Sequence, residues 1–167
     1  PIAIHQRISD AYSSAGSIGK VALHCEAEIH SADGTKLAPG KNGEIVVRGP
    51  NIMTAYWKDP DATAEILRDG WFHTGDVGYT ENDGNFYVVD RTKDVIISGS
   101  ENIYSAELEI PLDECPEIAE AAVVGRSDAR WGEVPVACVV RRKGSTITKD
   151  QVLALYNSRV AKYKHPH

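Results

Sequence analysis

Four short stretches of this 167-residue chain carry side chains whose types and spacing could bind a ligand. Thr74-Gly75-Asp76 follows the aromatic pair Trp71-Phe72 and precedes a polar turn. An ionised aspartate only accepts hydrogen bonds, and its two oxygens suit the paired hydroxyls of a ribose; the same tripeptide also caps turns for purely local reasons. Asp90-Arg91-Thr92-Lys93-Asp94 sets four charges in five residues. Arg91 offers planar, paired donors for ribose or phosphate oxygens and Lys93 a mobile point charge, while a solvated connection is the bland reading of such a run. In Ser98-Gly99-Ser100-Glu101-Asn102 small residues let the backbone approach a ligand closely or simply make a turn; with no Lys-Ser or Lys-Thr after the glycine it is not a Walker loop. Trp131-Gly132-Glu133 presents an indole that could stack on a flat base such as adenine, worth on the order of 1 to 3 kcal/mol, or bury its large area as packing.

Other chemistries lose their support. His5, His24, His30, His73, His165 and His167 stand at neither metal-ligand nor triad spacing, and no Gly-x-Ser-x-Gly elbow occurs. Cys25, Cys115 and Cys138 are odd in number and outside any CxxC spacing, so neither a disulfide framework nor a zinc site is expected. A formal charge of -6 argues against a phosphate-backbone partner, and nucleic acid is set aside. No apolar run approaches the ~20 residues of a membrane span, and the first ten residues lack the order of a secretory signal. The cytoplasm is the expected compartment. An opening Pro1 in place of Met suggests a chain cut from something longer.

The elements that must position these residues can be outlined from periodicity and turn signals. Val21 to Ile29 alternates apolar and polar as a half-buried strand does. Glu44–Arg48, Trp71–His73 and Asn85–Val89 are further extended stretches, punctuated by Pro-Gly and Asp-Gly turns, and Asp61–Leu67 is a short helix entered after Pro60. After Asp90 the order becomes strand 94–98, a Gly-containing loop, a helix from Ser105, strands 118–124 and 134–141, and a last helix. Pro111 predicts a kink or early stop in the first of those helices, while Thr148 and Gln151 form a capping box for the second. The fold class is α+β: a β-rich part over 1–90, then a small α/β part over 91–167.

In order and spacing these motifs resemble the adenylate-forming superfamily, specifically its acyl- and aryl-CoA synthetases of the fatty-acid–CoA ligase kind. The likeness runs from about Gly16 to the end, through Gly43-Glu44-Ile45-Val46-Val47-Arg48-Gly49, Ala55-Tyr56-Trp57, Gly70-Trp71-Phe72-His73-Thr74-Gly75-Asp76, Asp90-Arg91-Thr92-Lys93-Asp94 and Ile97-Ser98-Gly99-Ser100-Glu101-Asn102-Ile103-Tyr104. The resemblance implies that residues 1–90 end a large AMP-binding domain as a distorted barrel and that 91–167 make most of a mobile small domain. It implies that Asp76 holds the AMP ribose hydroxyls, that Arg91 assists at the same nucleotide, and that Lys93 is the hinge. Ser98, Gly99 and Ser100 would line the pantetheine tunnel, and Trp131 would lie near the CoA nucleotide. The implied ligands are ATP or AMP, CoA, magnesium accompanying ATP, and a small carboxylic acid that becomes acyl-AMP and then acyl-CoA. Swinging a domain about a hinge lets one site serve both steps.

Departures from the pattern are Ala55 for a usual glycine, Ser100 for the second tunnel glycine, Ser105 where proline commonly opens the helix, and Pro111 inside that helix. The chain stops before the motif that in relatives holds the adenylation lysine, so no catalytic residue and no metal ligand is assigned, and the isolated chain is expected to be inactive. A non-catalytic binding module of the same fold, or an adenylation domain serving a carrier protein, are the competing readings. The acid itself and the oligomeric state are not encoded in these residues.

Overall fold

The computed structural model describes residues 3–8, 10 and 12–167; Pro1, Ile2 and Ser9, within the stretch read for a leader, and Ala11 lie outside the described residues. The chain divides into two compact units, residues 1–92 and Lys93–His167.

The first unit is built on antiparallel strands. A small ribbon pairs β1 (Ile4–His5) with β2 (Lys20–Val21). The main sheet is curled and runs β3 (Glu26–His30), β4 (Gly43–Arg48), β6 (Trp71–Thr80), β5 (Leu67–Arg68), with β7 (Phe86–Arg91) also paired to β6. The long β6 changes partners along its length, meeting β5 and β4 at its start and β7 at its end. Ile29, Ile45, Val47 and Phe86 pack as the core, the inward positions that alternation along half-buried strands selects. The helix expected after Pro60 is α1 (Pro60–Ile66): Pro60 supplies a preset φ at its first turn, and Asp59 accepts from the Ala62 amide at 3.0 Å. The strand expected over Val21–Ile29 is broken in two. Cys25 N–H closes a turn on Ala22 C=O at 3.1 Å, and His24 adopts φ 64°, which no strand accommodates.

In the second unit a four-stranded antiparallel sheet has the order β10 (Ile118–Asp128), β11 (Gly132–Arg141), β8 (Ile96–Ser98), β9 (Glu101–Ile103). Helices α2 (Ser105–Asp113) and α3 (Lys149–Ala154) complete it. Ile96, Ile103, Leu108, Leu112, Val123, Val152 and Tyr156 form one buried cluster. The loop expected after Ser98 is a hairpin whose return strand, β9, sequence periodicity does not reveal. α2 continues for two residues past Pro111, whose ring is buried, and then ends; the missing amide falls so close to the helix end that little pairing is lost. The capping box of α3 is present, with Thr148 Oγ1 accepting from Gln151 N–H at 3.3 Å and Gln151 Oε1 accepting from Thr148 N–H at 2.8 Å. α3 ends at Ala154, so Tyr156 and Val160 lie in the turns that follow. β11 is paired to β10 along its whole length but to β8 only at Gly132↔Ser98. On that second edge Pro135 C=O accepts from His167 N–H, and among the described residues no strand takes up the outward backbone groups of Ala137 and Val139.

Candidate functional site

In the first unit, the Thr74-Gly75-Asp76 tripeptide lies where β6 exchanges partners. His73 pairs with Val46 and Val77 with Glu44, so three residues of β6 oppose the single residue Ile45 of β4. That is a β-bulge, a device that bends a strand and redirects a side chain. Gly75 takes φ +72°, a conformation that costs glycine nothing. Thr74 Oγ1 donates to Ile45 C=O at 2.7 Å and accepts from Asp76 N–H at 3.1 Å, and Gly75 N–H donates to Glu44 Oε1 at 3.1 Å. Asp76 then pairs in register with Arg91 of β7, and Arg91 Nε lies 3.0 Å from Asp76 Oδ1. Both side chains are partly exposed, so the carboxylate keeps acceptor capacity for a diol while the guanidinium, held on one side, keeps donors for an anion. The two residues, 15 positions apart in sequence, are thus brought into one hydrogen-bonding group.

Lys93 belongs to a short 3-10 turn, Thr92–Asp94, at the point where the chain leaves the first unit, and its side chain is exposed.

The second unit unites Ser98, Gly99, Ser100 and Trp131. Gly99, at φ +64°, turns β8 into β9 and donates its N–H to Trp131 C=O at 2.6 Å. A Cβ at Gly99 would stand 3.3 Å from Trp131 Cε3, so the absence of a side chain lets backbone and indole meet. Asp128 Oδ1 accepts from both Arg130 N–H (2.8 Å) and Trp131 N–H (2.9 Å). These bonds, that of Trp131 first, hold the Asp128 carboxyl below the usual aspartate range. The Arg130 guanidinium carbon lies 4.7 Å from the Trp131 ring centroid, yet the tryptophan remains 46% exposed. Glu133 Oε2 accepts from Ile97 N–H at 3.0 Å, joining β8 to β11 beyond their single ladder pair.

Together Ser98, Gly99, Ser100 and Trp131 border a cleft of about 590 Å³ whose opposite lining includes Lys162, Tyr163 and His165. Lys162 faces this cleft. Lys164 is turned away into a two-point ion pair with Glu107 at 2.6 and 2.9 Å. Sequence reading gave no role to Glu44, Asp128, Glu133 or Tyr163. A Gly-Glu at a strand start or an Asp before a tryptophan signals nothing until the register shows which backbone amide each carboxylate faces. Among the described residues no group of three or more His, Cys, Asp or Glu forms a metal cage, and no helix is long and apolar enough to cross a membrane.

The AMP-binding enzyme family matches residues 1–57, and the AMP-binding enzyme C-terminal domain family matches residues 107–167. Indoleacetate–CoA ligase of Aromatoleum aromaticum is 52% identical over 99% of this chain and 32% of its own length. Feruloyl-CoA synthase of an Amycolatopsis species is 51% identical over 90% of this chain and 31% of its own. Among solved structures, o-succinylbenzoate CoA synthetase from Bacillus subtilis with its acyl-adenylate intermediate superposes with a TM-score of 0.87 at 40% identity, covering 98% of this chain and 33% of that one. The chain therefore spans about a third of the length of the relatives it matches. With both family segments in order on one chain, and relatives that are CoA ligases along nearly its whole length, the chain belongs to the adenylate-forming superfamily of AMP-binding enzymes.

Proposed function

We propose that this chain is part of an AMP-forming acid–CoA ligase, which joins a carboxylic acid to ATP with loss of pyrophosphate and then exchanges AMP for CoA. In this reading residues 1–90 are the β-rich end of the large nucleotide-binding domain and residues 91–167 are most of the small domain that moves about Lys93. Asp76 accepts hydrogen bonds from the two ribose hydroxyls of the adenylate. Arg91, already oriented by Asp76 at 3.0 Å, directs its remaining donors to the ribose or phosphate oxygens of the same ligand. Ser98, Gly99 and Ser100 form the wall past which the pantetheine arm runs, and the exposed face of Trp131 takes the CoA base. Magnesium would accompany ATP as the counter-charge of its phosphates. The acid is aromatic in the ligases named above, which act on indoleacetate and ferulate, and an aromatic or arylalkyl carboxylic acid is the substrate class we assign. The cytoplasm is the compartment that ATP and CoA chemistry favours.

The observation that carries this reading is the bulge that lifts Asp76 out of the β4 ladder and aligns it with Arg91. The test is to replace the corresponding third of the Aromatoleum ligase with this chain and to follow AMP release on mixing ATP, CoA and indoleacetate. The hybrid should form the thioester, and Asp76→Ala should lower kcat/KM for ATP by roughly 10- to 100-fold, the worth of hydrogen bonds to a charged acceptor. A folded hybrid that turns over equally well with the Asp76→Ala substitution would overturn the assignment.

A further inference from the structure

The bulge that carries Asp76 is held from behind by groups that touch no proposed ligand. Glu44 lies at the start of β4 with its side chain only 18% exposed, and it spends both carboxylate oxygens on the neighbouring strand. Oε1 receives the Gly75 amide at 3.1 Å, and Oε2 lies 2.7 Å from Nδ1 of His73, itself 10% exposed. Arg68 of β5 stands 3.5 Å from the same Oε2 and 3.0 Å from His73 Nδ1. A guanidinium has donors only, so it cannot share Nδ1 when that atom carries hydrogen. The shorter contact, to a carboxylate, requires the hydrogen on Nδ1; Arg68 therefore serves Glu44 as a counter-charge. Arg68 also donates to Glu65 C=O at 2.7 Å, which anchors it to the end of α1.

We infer that Glu44 is a positioning residue for nucleotide binding, with His73 and Arg68 fixing its carboxylate so that it sets the backbone of Gly75 and, through it, the direction of Asp76. This inference rests on the nucleotide reading of Asp76. On the β4 side the bulged residues have no regular ladder partner; Asp76 is paired to Arg91 of β7, and the geometry of Thr74 and Gly75, which lead into it, falls to two side-chain tethers, Thr74 on Ile45 and Glu44 on Gly75. A strand bulged by two extra residues has several local arrangements of similar energy unless such tethers choose one. Removing Glu44 leaves Asp76 in place but lets its carboxylate wander, and a bidentate acceptor loses most of its value when misaimed.

The test is a double-mutant cycle in the hybrid ligase described above, read by AMP affinity from titration calorimetry and by amide hydrogen exchange. Glu44→Ala should weaken AMP by about tenfold in the Asp76 background and leave the residual affinity of Asp76→Ala unchanged. Glu44→Gln keeps an acceptor for Gly75 and should recover most of the loss. Exchange of the Gly75 amide hydrogen should quicken in Glu44→Ala while the β3–β4 ladder keeps its protection, which separates misaiming from unfolding. Equal loss in both backgrounds, or a Gly75 amide that exchanges as before, overturns the positioning role. An unsubstituted hybrid that binds no AMP, or an Asp76→Ala hybrid that binds as well as the parent, counts against the nucleotide reading itself.

Discussion

Asp128 and Gly99 show how much of the cleft beside Trp131 hangs on single residues. Two backbone amides converge on the Asp128 carboxylate and hold its pKa below the ordinary aspartate value of 3.8. A group lowered in the folded state contributes its stability in full above the unfolded value and loses it as pH falls through the folded one. The Trp131 loop should therefore stay ordered down to about pH 4 and loosen only in stronger acid, a change visible in the Trp131 indole N–H resonance. Asp128→Ala should produce the loosened signal already at neutral pH. Gly99→Ala meets two obstacles at once, a positive φ and an indole 3.3 Å from the new methyl. It should cost about 1 kcal/mol or somewhat more by chemical denaturation. Asp76, Arg91 and Trp131 stand out in the sequence through the motifs it shares with the adenylate-forming enzymes, and the roles proposed for them come from that resemblance. Their supports do not stand out: Glu44 and Asp128 act on backbone amides, and every residue except proline has one.

The elements were legible where local chemistry is self-sufficient. α3 announces itself through Thr148 and Gln151, whose reciprocal bonds need no tertiary partner, and Thr148→Ala should lower stability by about 1 kcal/mol in thermal melts. β4, with its Ile-Val-Val run, and β7 were likewise readable. The alternation over Val21–Ile29 was misleading because a turn of four residues preserves the parity of inside and outside; only the positive φ at His24 breaks the strand. β9 was hidden by its brevity, since Glu101-Asn102-Ile103 has one apolar residue and gains its pairing from β8. β6 was seen only as Trp71–His73. Its continuation to Thr80 passes through a glycine-containing bulge that reads as a turn, and the register shift across it follows from pairing with two different strands.

At the scale of the whole chain the junction lies after Thr92, and Thr92, Lys93 and Asp94 of the 3-10 turn there are all exposed. Limited digestion with trypsin should cut first after Lys93, giving two fragments by mass spectrometry; Arg91, paired in β7, should resist longer. A first cut elsewhere would argue against Lys93 as a point of motion. The outward edge of β11 has a different consequence, for colloidal behaviour. An edge strand with unoccupied donors and acceptors is a template for sheet extension between molecules. Here Pro135 removes one donor and His167 covers its carbonyl, leaving Ala137 and Val139, which no strand among the described residues pairs on that side, as the adhesive stretch beside the exposed Val140. The net charge of -6 opposes such contacts between copies, and that repulsion fades as salt shortens its range to about 3 Å at 1 M. Light scattering by concentrated solutions should accordingly climb as salt is added, and Val140→Lys, by setting a charge beside the edge, should hold the chain dispersed.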